Sequence, residues 1–162
     1  MLDEIVKRRS IRKYKSDTPS DEDITEIIKA AQFAPSGRNT KPWEFYVVKS
    51  KETREKLAQS LGQGFIAEAP VLIVPCADPE KSNLLIQDLS ATSENIFLQA
   101  TNLGLGTVWK NVPEEKMDEV KEIIGIPENF IVINLIPVGY PAEGLPAHSE
   151  ADFDPEKIHW EK

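Results

Sequence analysis

Apolar residues spaced three and four positions apart predict the helices of the chain. The sequence SDED at Ser20–Asp23 resembles a capping box and opens a helix whose isoleucines share one face. Lys51–Leu61 predicts a polar helix. Asn83–Leu103 predicts the longest helix, which is apolar on several faces and is therefore buried in the core or against a partner. Pro113 opens a further helix that Gly125 ends.

Runs of β-branched and aromatic residues predict the strands. WEFYVV and the short GTVW are typical strand sequences, and FIVINLIPVGYP is the last strong strand. VLIVPC is apolar throughout, which is typical of a strand buried on both faces. From Ala142 onward the chain has few apolar residues, so this part is predicted to be an arm that adds nothing to the core.

Length, charge and cysteine count narrow the class of protein. A chain of 162 residues with 40% apolar composition fits one domain, and its net charge of -8 disfavours nucleic acid and anionic membranes as partners. With Cys76 as the single cysteine and only two histidines, we expect no internal disulfide and no metal site. No apolar leader and no run of membrane-spanning length is found, so we expect a cytoplasmic protein.

Six of the 19 basic residues lie between Lys7 and Lys15. A short N-terminal helix is predicted to run into this cluster and to place Arg8, Arg9 and Arg12 beside its apolar stripe, directed at the body of the protein. Guanidinium forks and the Ser10 hydroxyl suit a phosphate. Two alternatives stay open: cations that merely complement the helix dipole, and a targeting or nucleic-acid patch.

Three further motifs carry less chemistry. LGLGT follows a helix and lacks the third glycine of a dinucleotide-binding fingerprint, so we reject a Rossmann site, and no Walker pattern is present. Cys76 lies in an apolar strand and is interpreted as a buried small side chain. The loop APSGRNTKPW exposes backbone groups and short amides that suit a flat polar heterocycle, with an ordinary turn as the equal alternative.

Four segments together resemble the FMN-dependent nitroreductase family in order and spacing: RRSIRKY, AAQFAPSGRNTKPWEFYVV, the long helix ending LGLGTVW, and PVGYPAE before a tail with IHWE. The resemblance covers nearly the whole chain. It implies an α+β fold with a mixed, mainly antiparallel sheet flanked by helices. It also implies a single domain over residues 1–162, with an arm, residues 142–162, that contacts the partner in an intertwined homodimer. One FMN would lie at each of two sites between the subunits.

The resemblance also implies which residues bind FMN. The basic residues at positions 8–12 would hold the phosphate, with Arg12 reaching toward the pyrimidine edge of the ring. Gln63 is a further candidate for the uracil edge. Pro35, Ser36 and Asn39 would be laid on the flavin by the partner subunit, and the stretch 108–111 would lie by the reactive edge. The full set is Arg8, Arg9, Ser10, Arg12, Pro35, Ser36, Asn39, Lys41, Gln63, Val108, Trp109, Lys110 and Asn111.

Two positions depart from the family pattern. Lys41 stands where glutamine is frequent, and the segment GLPAHSEADFD after GYPAE offers only His148 in place of the usual basic residues. The implied activity is ping-pong transfer of hydride from NADH or NADPH through flavin N5 to a nitroaromatic, quinone or similar small acceptor, with no catalytic side chain. The alternatives are a flavin sensor or store without turnover, and an anion-binding module without flavin.

Overall fold

The computed structural model describes residues 1–161. The helices are α1 Asp3–Lys7, α2 Asp21–Gln32, α3 Lys51–Leu61, α4 Phe65–Glu68, α5 Leu85–Asn102 and α6 Met117–Ile124. The strands are β1 Trp43–Val48, β2 Val71–Ala77, β3 Gly106–Thr107, β4 Lys110–Asn111, β5 Ile131–Val132 and β6 Asn134–Gly139. Single 3₁₀ turns form at Gly37–Asn39, Glu114–Lys116, Glu150–Asp152 and Pro155–Lys157.

The strands form one mainly antiparallel sheet. Its order is β1-β2-β6-β3, with β4 also paired to β6 and β5 to β2, and all of these pairs are antiparallel. A parallel bridge joins Ser10 to Thr107 at the β3 edge. The predicted mixed, mainly antiparallel sheet is therefore confirmed.

Helices cover both faces of the sheet because β2 sends apolar side chains to each side. Leu72 and Val74 belong to the cluster that packs against α3, α4 and α6, whereas Val71 and Ile73 belong to the cluster that packs against α2 and α5. Every residue of β2 is buried, as the uninterrupted apolar run predicts. No helix within residues 1–161 combines the length and apolarity needed to cross a membrane.

Local capping fixes several helix ends where the sequence predicts them. The Ser20 hydroxyl accepts a hydrogen bond from the Asp23 N–H at 3.0 Å, which starts α2. Gly125 ends α6 with a φ of 84°, a left-handed conformation that glycine adopts without steric cost. These signals act within one turn of chain, and tertiary packing does not override them.

The helix predicted to run into the basic cluster is shorter than expected. α1 ends at Lys7, and the chain leaves it in an extended conformation at Arg8, because the following residues pair with the sheet. The Ile11 N–H donates to the Thr107 carbonyl at 2.9 Å, beside the Ser10 bridge. The arginines therefore extend from a strand-like segment, and their predicted placement on a helical stripe is wrong.

Two predicted strands are also interrupted. The strand predicted for GTVW ends at Thr107 and resumes as β4. The last predicted strand divides at Ile133 into β5 and β6. The Ile133 carbonyl accepts the Val112 N–H at 2.9 Å, so this residue does not pair with β2. Both breaks occur where the edge of the sheet changes partner, which local propensity does not encode.

Candidate functional site

The basic segment, residues 8–12, is fixed on the β3 edge of the sheet. The side chain of Ile11 is buried, and a Cβ on Gly106 would lie 2.8 Å from it, so Gly106 permits this close approach. The Tyr14 hydroxyl donates to the Ile11 carbonyl at 2.6 Å, and burial raises the pKa of Tyr14. The segment is thus held in place by its backbone and by the buried Ile11 side chain.

The three arginines of the segment have different surroundings. Within residues 1–161 none of their guanidinium groups has a carboxylate at ion-pair distance, although the chain is acidic. Arg9 donates to the Pro146 carbonyl, and the Arg12 guanidinium lies 6.0 Å from the centre of the Phe65 ring. Arg8 lines a cavity. Guanidinium groups without acidic partners are the donor set that a phosphate requires.

The cavity beside Arg8 has a volume of about 630 Å³ and lies between α1, α5 and the arm. His148 lines it as well, and the His148 N–H donates to the Val6 carbonyl at 2.9 Å. The Asp152 carboxylate lies 3.6 Å from His148 Nδ1. The structure therefore places His148, which the sequence offered in place of the family's basic residues, in the same cavity as Arg8, where Glu94, Glu150 and Asp152 also line the wall.

The first part of the arm packs against the basic segment of its own chain. The Ala142 N–H donates to the Lys13 carbonyl at 2.9 Å, and Glu143 Oε1 accepts the N–H groups of Arg12 at 2.7 Å and Lys13 at 3.1 Å. These backbone donors lower the pKa of the Glu143 carboxyl. Sequence reasoning passed over Glu143 as a contact of the basic segment, although it ends the PVGYPAE motif. The arm beyond residue 148 is exposed.

The predicted loop between α2 and β1 has an unusual backbone. Three non-glycine residues take a left-handed conformation: Arg38 (φ 54°), Asn39 (φ 58°) and Lys41 (φ 47°). Ser36 Oγ accepts the Lys41 N–H at 3.0 Å across the loop, and the Gly37 N–H donates to the buried Asp88 carboxylate at 2.8 Å. Conformations of this kind cluster at functional sites, where the surroundings enforce them. Pro35 precedes this turn and is exposed.

Residues 108–111 begin directly after the bridge between Ser10 and β3, so the structure brings them next to the basic segment. Val108 is buried, and the Trp109 ring packs edge-on against Phe97 with centroids 6.3 Å apart. Lys110 and Asn111 form β4 against β6. Gln63 is exposed and precedes α4, the helix whose Phe65 ring faces Arg12.

The loop and the basic segment lie at opposite ends of the chain's central elements. The loop binds Asp88 in the first turn of α5, whereas the basic segment pairs with β3, which follows the last turn. At about 1.5 Å per residue, α5 spans about 20 Å from Asp88 to Asn102. Along the sheet, β1 starts beside the Ala77–Ile131 pair, whereas Thr107 pairs with Val138 at the other end. Within residues 1–161 no hydrogen bond or ion pair joins the loop to the basic segment.

Comparison with known proteins decides the family. The sequence profile described as "Nitroreductase family" matches residues 5–64 and 58–140. The chain belongs to the nitroreductase family. The predicted family and fold are thereby confirmed. Separately, within residues 1–161 no cluster of three or more His, Cys, Asp or Glu side chains is arranged to hold a metal.

Three relatives are similar over nearly their whole length to this nitroreductase-family chain. A protein of Archaeoglobus fulgidus with the provisional name NADH dehydrogenase/NAD(P)H nitroreductase is 43% identical. The match covers 98% of this chain and 95% of the length of that protein. A protein of Methanothermobacter thermautotrophicus with the same provisional name is 39% identical. The match covers 100% of this chain and 87% of the length of that protein. The solved structure of an FMN-dependent nitroreductase from Clostridium difficile superimposes with a TM-score of 0.93 at 36% identity. The match covers 100% of this chain and 99% of that chain.

Proposed function

We propose that this protein is an FMN-dependent oxidoreductase that passes hydride from NADH or NADPH to a nitroaromatic, quinone or similar acceptor in a ping-pong reaction. The predicted enzyme class, FMN and NAD(P)H are confirmed at the level of the family and its named relatives. The chemistry supplied by bound FMN is hydride acceptance at N5 followed by two-electron transfer to an acceptor. The single observation that supports the site is the basic segment, whose three guanidinium groups have no carboxylate at ion-pair distance within residues 1–161.

In this proposal the residues of the basic segment bind the phosphate and orient the ring. Arg8, with Ser10 beside it, donates to phosphate oxygens from the wall of the cavity, and Arg9 holds the arm through Pro146 while adding positive charge. Arg12 lies toward α4, so we assign it to the pyrimidine edge with Gln63. Positive charge from Arg12 at this edge would favour reduction of the bound ring.

The backbone of residues 108–111 is assigned to the reactive edge of the ring. Its position next to the Ser10 bridge supports this assignment, because the same sheet edge then carries the contacts to the phosphate and to the ring. Trp109, which is 36% exposed, and the half-buried Lys110 form the surface open to an incoming acceptor. No side-chain acid or base is required, since the ring itself carries the hydride.

We infer that the loop acts on the flavin of a partner subunit. The loop contacts Asp88 in the first turn of α5, whereas the basic segment pairs with β3, which follows the last turn of this helix. A second copy related by a two-fold axis supplies the loop of one chain to the basic segment of the other, and creates two equal sites. Exposed apolar side chains are available for such an interface: Leu2, Ile5, Phe33, Ile86, Phe153, Ile158 and Trp160.

Flavin titration and reduction test the function. The protein is titrated with FMN and FAD by fluorescence quenching, and the FMN complex is then mixed anaerobically with NADH or NADPH. We expect FMN to bind in preference to FAD and its visible absorption to bleach on reduction. Binding without bleaching would identify a flavin sensor or store, and no binding would refute the flavin site. Parallel double-reciprocal plots with a quinone acceptor test the ping-pong order.

Mixing two variants that each bind FMN weakly tests the shared site, at an FMN concentration that saturates the wild type and neither variant. One variant carries Arg8→Ala and the other Asn39→Ala, so each loses a different half of the site. After unfolding and refolding together, random pairing restores about a quarter of the intact sites, because half of the dimers are mixed and each has one complete site. Activity that stays at the level of the separate variants would show that both halves act within one chain.

A further inference from the structure

We propose that Asp88 is a positioning residue that sets the shape of the flavin loop, which we define as residues 36–41. The proposal rests on the proposed function, in which this loop contacts FMN of the partner subunit. Asp88 is one of few buried charged residues, with 3% of its surface exposed, and it lies in the first turn of α5. It is not among the residues that the sequence motifs indicated.

Both carboxylate oxygens of Asp88 are engaged by loops. Oδ1 accepts the Gly37 N–H at 2.8 Å, and Oδ2 accepts the Ser82 hydroxyl at 2.6 Å. Ser82 Oγ in turn accepts the Leu84 N–H at 3.0 Å. Within residues 1–161 no cationic side chain lies at ion-pair distance from Asp88. A buried carboxylate without a cation depends on such hydrogen bonds, so the two loops and the helix start form one unit.

The flavin loop needs this support because its backbone is costly. Its three left-handed non-glycine residues persist only where neighbouring structure enforces the conformation. Ser36 closes the loop internally, through its hydroxyl to the Lys41 N–H and its carbonyl to the Asn39 N–H at 3.0 Å. The bond from Gly37 to Asp88 anchors this closed loop to the buried helix.

Gly37 is also pressed against the start of α5. A Cβ at this position would lie 3.0 Å from Leu84 Cδ1, so the backbone approaches the helix more closely than a side chain would allow without displacing Leu84. This close packing against Leu84 places the Gly37 N–H where it donates to the Asp88 carboxylate. We infer that removal of its carboxylate releases Gly37 and lets the left-handed residues relax, which turns Ser36 and Asn39 away from the flavin.

A comparison of FMN with riboflavin distinguishes the loss of a loop contact from the loss of a phosphate contact. Riboflavin lacks the phosphate but has the same ring, so loss of loop contacts weakens FMN and riboflavin by the same factor. Loss of a phosphate contact at Arg8 weakens FMN alone. This difference separates a positioning role of Asp88 from an effect on the basic segment.

The test compares Asp88→Ala, Asp88→Asn and a matched control, Thr92→Val. Thr92 is buried one turn further along α5 and donates to the Ala31 carbonyl at 2.6 Å, so the control loses a buried hydrogen bond of α5 outside the loop. We expect Asp88→Ala to weaken both flavins by about tenfold or more, as the loss of a hydrogen bond to a charged group implies. Asp88→Asn retains an acceptor for the Gly37 N–H and restores most of the affinity. Thr92→Val lowers Tm with flavin affinity unchanged.

Trypsin provides a readout that needs no flavin. Cleavage after the exposed Arg38 reports the mobility of the loop, and it should be accelerated in Asp88→Ala and not in Thr92→Val. If Asp88→Ala does not fold, Ser82→Ala removes one of the two bonds to the carboxylate and should produce a smaller change in the same direction.

Three outcomes decide the proposal. Unchanged affinity for both flavins in a folded Asp88→Ala would overturn it, as would a Thr92→Val variant that loses flavin equally. A wild-type protein that binds no flavin refutes the proposed function, and the flavin role of Asp88 falls with it. In that case the tryptic comparison still shows whether Asp88 orders the loop, so the two failures are distinguishable.

Discussion

Replacement of Arg8 by alanine is the sharpest perturbation of the proposed phosphate site. Arg8 lines the cavity and makes no ion pair within residues 1–161, so the substitution removes a cation without breaking a salt bridge. Arg9 is less suitable because it also donates to the Pro146 carbonyl and holds the arm. Arg12 lies by Phe65, and its loss is expected to affect the ring as well as the phosphate.

The magnitude follows from the number of bonds that Arg8 supplies. One hydrogen bond to a charged group contributes about 1.5 to 3 kcal/mol, which corresponds to about a tenfold to hundredfold rise in the Kd for FMN. Riboflavin lacks the phosphate, so its Kd should change much less. Raising the salt concentration should narrow the difference between wild type and variant, because part of the attraction is screened.

The assay is a fluorescence titration of each protein with FMN and with riboflavin at one ionic strength. Lys15→Ala is the matched control, since it removes the same charge from an exposed side chain that follows the basic segment. An equal loss of affinity for both ligands would show that Arg8 supports the fold. An equal effect of Lys15→Ala would show that general electrostatic attraction, and no specific contact, binds the phosphate.

Three further predictions test parts of the structure. Gly106→Ala forces a Cβ against the Ile11 side chain and should lower the free energy of unfolding by about 1 to 3 kcal/mol in urea titrations, whereas Gly144→Ala, whose Cβ meets nothing within 4 Å, should be neutral. Burial raises the pKa of the Cys76 thiol to about 12, so this thiol should not react with a disulfide reagent before the protein unfolds. Because the thiol of the unfolded chain ionises near 9.0, the free energy of unfolding should fall as the pH rises from 9.0 to about 12. Glu143→Ala should loosen the arm, measured as faster amide exchange at its two backbone partners. Since the folded pKa of this carboxyl is lowered from 4.5, wild type should lose the same protection as the pH falls through that lowered value, and an effect that persists in full below it would contradict the assigned bonds.

Much of the candidate site was predictable because its motifs are local. The arginines, Ser36 and Asn39 stand in short segments whose residue types alone suit a phosphate or a polar ring. Asp88 was not predictable in this way. Its partner Gly37 lies 51 residues away, and an aspartate in the first turn of a helix is ordinarily explained by the helix dipole.

Local chemistry determined the elements whose boundaries the sequence predicts well. α3 occupies Lys51–Leu61 as predicted because a serine cap and a glycine end act within one turn, and β2 follows from an apolar run that only a strand covered on both faces accommodates. The tertiary structure alone decided the path of the basic segment, the break at Ile133 and the bond from Gly37 to Asp88. In each case a hydrogen bond or a distance between remote parts of the chain outweighs local propensity, which carries no information about partners.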